Sequence, residues 1–231
     1  DLSAQYGSIK QEIDEAIKLV IDENAFIGGS SNKHVNELER KFAEFSKSKY
    51  CVGCANGTDA IEIVLKALGI KAGDEVIVPA ISWFSTSEAV TAIGGVPVFV
   101  DVNDNDLTIN PQLIEEKITT RTKVIMPVHL YGNPADMTAI MEIADKHGLQ
   151  VVEDSAQAHG AEHQGRPVGS FGAAATYSFY PGKNLGAYGD AGCITTNNEE
   201  LAKMCKAISN HGQPGKKHVH IVEGRNSRLD G

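Results

Sequence analysis

Apolar and polar positions alternate along the chain in two periods, one suited to helices and one to buried strands. Ile9–Ile21 and Val35–Phe45 repeat their apolar residues at helical spacing, with Ser31 or Asn32 placed to cap the second segment. Tyr50–Ala55 is a short apolar run that predicts a strand. Thr58–Leu68 then carries apolar residues at positions 60, 61, 64, 65 and 68, one face of a helix. The pattern repeats with strand Val76–Pro79, helix Ser85–Ile93 and strand Val96–Val100. Helix Gln112–Ile118, opened by Asn110-Pro111, precedes strand Val124–Val128. Helix Met137–His147 and strand Leu149–Glu153 follow. Ala173–Phe179 and Cys193–Thr195 read as further strands, and Glu199–Ile208 as a helix. Strands this uniformly apolar are buried on both faces. The expectation is a three-layer αβα domain with a mainly parallel sheet, whose ligands sit beyond the carboxyl ends of the strands.

Composition narrows the partners. Hydrophobic residues make up 42% of the 231 positions and charged residues 22%, which suits a substantial core. The net charge is −9 with no basic block, a poor match to nucleic acid or to an anionic membrane. No segment reads as a membrane span or a signal peptide, and cytoplasmic residence is expected. Cys51-Val-Gly-Cys54 has the spacing of a redox or zinc half-site, but no second pair follows, and cysteine in an apolar run usually packs as a small hydrophobe. His129, His159 and His163 lack metal-ligand spacing, so no metal is expected.

The chemistry concentrates in two stretches one crossover apart. Glu153-Asp154-Ser-Ala-Gln157 ends an apolar strand, and Ser178-Phe-Tyr-Pro-Gly-Lys183-Asn-Leu-Gly holds a glycine-flanked lysine. A lysine amine can form an imine with an aldehyde cofactor. A carboxylate facing a pyridine nitrogen keeps it protonated, so the ring can accept electrons. That pairing points to pyridoxal 5′-phosphate, with Lys183 and Asp154 as the catalytic pair. Asn56-Gly57-Thr58-Asp59 joins a strand to a helix, and its amides form a candidate phosphate site. Ser178 could add a hydroxyl to the same phosphate. Trp83 could stack on the cofactor ring, and Gln157 could bond its ring oxygen. A P-loop does not fit, because Tyr177 replaces its glycine and Asn184 its Ser or Thr. There is no G-x-G-x-x-G for a dinucleotide.

These stretches resemble the DegT/DnrJ/EryC1/StrS group of sugar aminotransferases within fold-type I pyridoxal-phosphate enzymes. The resemblance also takes in Gly73-Asp-Glu-Val-Ile-Val-Pro-Ala, Pro127-Val-His-Leu-Tyr-Gly and Asn210-His-Gly-Gln. It implies transfer of an amino group from an amino-acid donor, glutamate, to a nucleotide-linked keto-sugar during aminosugar biosynthesis. Lys183 would carry the protons, and Gly57, Thr58, Asp59 and Ser178 would hold the phosphate. It also implies a homodimer in which Asn226 reaches the partner subunit's cofactor. Sugar dehydratases of the group carry histidine at the position of Lys183, which favours transamination. A sugar dehydratase or lyase, and a non-catalytic regulator of the same fold, are the alternative readings. Residues 1–30 are expected to form a helical arm and 31–231 the large cofactor domain. Residues 213–231 read as loop and strand with no evident place in the sheet. They stop where the group continues into a smaller C-terminal domain, so the chain is expected to be truncated there.

Overall fold

Among the described residues nine strands and six α-helices form, most of them where the hydrophobic pattern places them. The structure is a computed structural model, and it describes residues 1–28, 32–215 and 218–231. Helix α1 (Leu2–Asp22) precedes α2 (Lys33–Phe45), β1 (Tyr50–Cys54), α3 (Gly57–Ala67), β2 (Glu75–Pro79) and α4 (Ser85–Ala92). Strands β3 (Val96–Val100) and β4 (Thr122–Ile125), helix α5 (Met137–His147) and strand β5 (Gln150–Asp154) follow. A small hairpin, β6 (Glu162–His163) and β7 (Arg166–Pro167), leads to β8 (Ala174–Ser178), β9 (Gly192–Thr196) and α6 (Glu199–Ser209).

Seven strands make one sheet in the order β1-β9-β8-β5-β4-β2-β3. Pairs β2–β3, β2–β4, β4–β5 and β5–β8 are parallel, whereas β9 runs antiparallel to both β8 and β1. Successive strand residues face opposite sides, so two cores form. Val76, Val78, Val124 and Val152 meet α3, α4 and α6 on one face. Ile77, Ile125 and Val151 meet α5 on the other, while Cys51, Ala175 and Cys193 meet Val35 and Phe42 of α2. All four cysteines are free and buried, which is how a small hydrophobe behaves.

Short polar side chains start the helices. Asn32, Asn56, Asp136 and Asn198 each accept an amide hydrogen in the first turn of the helix they precede, a cap worth about 1 kcal/mol apiece. Asn32 is thus the cap of α2, while Ser31 lies outside the described residues.

Four expectations need correction. Gln112–Ile118 is not one helix but two 3₁₀ turns, Pro111–Leu113 and Glu115–Lys117, with Ile118 extended. Thr119 ends the helical path: its amide bonds the Thr122 hydroxyl and its own hydroxyl bonds Glu75, an alternative to continuing the helix. Strand β4 stops at Ile125 because Pro127 has no amide to donate, and only an isolated bridge joins Val128 to Asp154. Helix α1 runs from Leu2 with a kink at Ile9, and none of its residues is buried. Finally, the tail, of which residues 216 and 217 lie outside the described residues, adds no strand to the sheet but is anchored beside it. Arg225 N bonds Ile208 O (2.8 Å), Ser227 N bonds Ser209 O (2.8 Å), Ala55 N bonds Ser227 O (3.2 Å), and Leu229 is buried beside α2 and β1.

Candidate functional site

The carboxyl ends of β1, β2, β5 and β8 converge, and the candidate residues sit on the loops just beyond them. Helix α3 starts directly after β1. Asn56 accepts the Asp59 amide (2.8 Å), so Asp59 does not offer the free amide expected of it. Its carboxylate instead pairs with Arg225 at 3.2 Å. The amides of Gly57 and Thr58 remain at the positive end of the helix, with no helical acceptor behind them. Gly57 is required here: a Cβ would lie 2.8 Å from the Cβ of Ser178, which ends β8. The same contact brings Ser178 to the seat. Its Oγ accepts the Tyr180 amide (3.2 Å), which leaves the hydroxyl hydrogen free to donate. Ser85 donates to Glu88 (3.0 Å), so Thr58 must donate its hydroxyl to Ser85 (2.8 Å), and the Thr58 amide is what it has left to offer.

Asp154 ends β5 and is buried. Its Oδ2 accepts from the Thr86 hydroxyl (2.8 Å) and its Oδ1 from the Ala156 amide (3.2 Å). Burial nevertheless pushes its carboxyl above the usual range, against the pull of those two bonds and of His129 and Lys183. Ser82 bonds the Thr86 hydroxyl at 2.7 Å and completes a short chain behind the acid. Lys183 is half-buried in a turn held by its amide bond to Tyr180 O (2.8 Å). Among the described residues its amine makes no hydrogen bond or ion pair. Burial pulls the amine below its ordinary value, and Asp154 pulls it back up. Lysine and acid therefore lie within electrostatic reach of one another.

Gln157 and Trp83 sit in contrasting surroundings. Gln157 Oε1 accepts the Tyr131 amide at 2.7 Å, which fixes the side chain and leaves its NH₂ as a donor. Tyr131 adopts a left-handed φ of 55°, a conformation a tyrosine holds only where its surroundings demand it. Trp83 follows β2 and is 74% exposed, so it packs in no core and its ring face is open. Asn226 is exposed as well, with its backbone bridged to Asn210.

Three buried groups behind the site were not singled out from sequence, or were read only as histidines. Glu153 points away from Asp154 and is fully buried. It accepts from the amides of Gly169 (2.6 Å), Phe171 (2.8 Å) and Gly172 (2.8 Å), and from His129. His129 Nδ1 accepts the Ala135 amide (3.1 Å), so its proton is on Nε2 and is donated to Glu153 (3.1 Å). Thr86 is the third, and the only sequence signal for it was its place in the first turn after Trp83. His163 bonds Thr138 (3.0 Å), and His159 packs among Phe42, Tyr177 and Phe179.

These residues fit pyridoxal phosphate. Among the described residues, an amine without a hydrogen-bond or ion-pair partner lies within electrostatic reach of a buried acid that has no ion pair. An anion seat opens beside them, in a space that only glycine at 57 leaves clear. Lys183, Asp154, Gln157, Ser178 and the amides of Gly57 and Thr58 would hold the group.

Comparison with known proteins follows the same line. The model of the DegT/DnrJ/EryC1/StrS aminotransferase family matches residues 7–231. A pleiotropic regulatory protein of Geobacillus stearothermophilus is 49% identical over 230 residues, covering 100% of this chain and 61% of the relative. A dTDP-3-amino-3,4,6-trideoxy-alpha-D-glucose transaminase of Streptomyces venezuelae is 44% identical, covering 100% and 60%. The crystal structure of NtdA from Bacillus subtilis with bound cofactor PMP superposes with a TM-score of 0.91 at 40% identity, covering 96% of this chain and 50% of that one. The chain thus spans between half and about three fifths of the length of each.

Proposed function

Because the chain belongs to the DegT/DnrJ/EryC1/StrS aminotransferase family, we propose that it is the cofactor-binding part of a pyridoxal-phosphate transaminase acting on a nucleotide-linked keto-sugar. The amino donor in this reading is an amino acid, glutamate. The observation that carries it is the unpaired Lys183 amine facing buried Asp154 beside the Gly57–Thr58 anion seat. Pyridoxal phosphate, when bound, supplies an aldehyde to take up the amino group and a ring to accept an electron pair.

The chain's own groups supply the rest. Burial lowers the pKa of the Lys183 amine, which makes it a ready proton carrier between substrate carbon and cofactor. Asp154, held by Thr86, would pair with the ring nitrogen. Gln157, fixed by Tyr131, donates to the ring oxygen, and the open face of Trp83 covers the ring. Gly57, Thr58 and Ser178 bind the phosphate, with Asp59 completing the first turn behind them. Residues 1–30 serve as an arm and 31–231 as the cofactor domain, in keeping with an α1 that buries no side chain.

A sugar acceptor is supported by the arginines. Arg40, Arg121, Arg166, Arg225 and Arg228 are bonded to Glu44, Glu75, Ser170, Glu62 and Asn210 respectively, so each already has a partner within the chain, which weighs against a dedicated carboxylate clamp among them. The transaminase name of the Streptomyces relative supports a nucleotide sugar. The regulatory name of the Geobacillus relative favours a second reading, a regulator of the same fold. A regulator has no use for a lysine amine left unpaired opposite a buried acid, so transamination ranks first. Full-length protein charged with its amino group should be discharged by one member of a nucleotide-ketosugar panel. It should need far less of that sugar than of any simple keto acid. A better keto-acid acceptor would overturn the sugar reading, and no discharge at all would leave the regulator.

A further inference from the structure

The segment Arg225–Leu229 is bonded along the whole strand-to-helix turn that forms the anion seat. Leu229 fills the space over Gly53, where a Cβ would come within 2.9 Å of its side chain. Ser227 accepts the Ala55 amide with both its carbonyl (3.2 Å) and its Oγ (3.3 Å), one residue before the Asn56 cap. Arg225 then reaches α3 itself. One terminal nitrogen lies 3.2 Å from Asp59 Oδ1, and the other bonds Glu62 Oε2. The backbone of Arg225 is fixed from behind, bonding Ile208 O (2.8 Å) and the His211 amide (2.9 Å), so the guanidinium has a rigid base.

The charge arrangement needs such a group. Asp59 and Glu62 stand within the first two turns of the helix whose amino end is the seat, and their side chains are only 13% and 18% exposed. Glu88 adds to the same negative field. An anion approaching Gly57 and Thr58 meets the favourable helix dipole and two poorly screened carboxylates that oppose it. Arg225 bridges both.

We infer that Arg225 is the positioning residue of the anion seat: it neutralises Asp59 and Glu62, so that the amides of Gly57 and Thr58 present a net positive end to the cofactor phosphate. The inference rests on the pyridoxal-phosphate reading above. Because Asn226 is the next residue, the same ion pairs fix the origin of that side chain relative to the seat.

Full-length protein stripped of cofactor is titrated with pyridoxal phosphate and, separately, with pyridoxal, which lacks the phosphate. Arg225→Gln should weaken the phosphate form roughly tenfold and pyridoxal by less than about twofold, the scale of one lost charge interaction at a helix end. Arg225→Lys should fall between, and adding Glu62→Gln to Arg225→Gln should recover at least half of the lost binding energy. If Arg225→Gln does not fold, Glu62→Gln alone carries the test and should tighten the phosphate form selectively. Equal losses for both ligands, no loss, or a Glu62→Gln protein that binds no tighter would overturn the inference and leave Arg225 as a staple of the fold. Failure of the underlying reading looks different. Wild-type protein would then bind both ligands alike and carry no borohydride-fixed label on Lys183.

Discussion

Thr86 donates its hydroxyl hydrogen to Asp154 Oδ2 at 2.8 Å, which ties the first turn of α4 to the carboxyl end of β5. The carboxylate is buried, and this bond and the Ala156 amide are its hydrogen-bond donors. Thr86→Val keeps the shape and removes one of them. The expected result is a stability loss of about 1–3 kcal/mol, the cost of a buried charged acceptor left short. Cofactor retention should weaken with it, and Thr86→Ser should restore both. Denaturant titration and cofactor titration of the three proteins check this.

Asp154 makes the opposite trade. Its folded-state pKa is raised, so the folded protein binds that proton more tightly than the unfolded chain does. Stability from this group therefore falls as pH rises from the ordinary carboxylate range through the raised value. Asp154→Asn removes the cost. Without cofactor, the variant should be at least as stable as wild type near neutral pH and lose that advantage in acid. Its amino-transfer rate should drop by about a hundredfold or more, because the charge facing the ring is gone. A cofactor-free thermal midpoint that is lower than wild type's at neutral pH would contradict the assignment.

Glu153 sits next to Asp154 in sequence yet serves the fold. It accepts three amides and one imidazole hydrogen, and Glu153→Gln would turn an NH₂ toward at least one of those donors. A loss of about 3 kcal/mol is expected, with the stretch from Gly169 to Gly172 opening first. Hydrogen exchange at the amides of Phe171 and Gly172 reports it directly.

Asn226 bears on subunit sharing. If its exposed side chain serves a neighbouring subunit's site, mixing full-length Lys183→Ala and Asn226→Ala proteins should restore activity to a fraction of hybrid sites. Neither parent should exceed a few per cent of wild type. Full activity in a protein that sediments as a monomer would end the idea.

Much of this was legible in the chain. The parallel sheet followed from apolar runs alternating with helical stripes, and Lys183, Asp154 and Gly57 announced themselves through residue type and local context. Thr86 and Glu153 did not, because their roles depend on partners brought together only by folding: Thr86 lies far from Asp154 in sequence, and Glu153 looks like any strand-end acid until the amides of residues 169–172 fold over it. Asp59 was misread for a related reason. A helix start exposes several amides, and only the orientation of Asn56 decides which of them is capped. The tail looked homeless because its anchors are scattered: main-chain bonds to α6 and to the residue after β1, one buried leucine, Leu229, and the Arg225 ion pairs, none of which repeats at a helix or strand period.

Strand β1 lies at the edge of the sheet, and among the described residues its one strand partner is β9, with Tyr50 opposite Thr196. The seat that follows β1 is also braced by residues 225–229, still further along. During synthesis Gly57 therefore leaves the ribosome long before anything that will hold it in place, and a loop of this span is entropically slow to close. The order of manufacture and the order of assembly are inverted: what is made early is finished late. A nascent chain halted between β8 and β9 has five parallel strands ready to associate in four pairs, while the turn after β1 still lacks the strand and the tail that brace it.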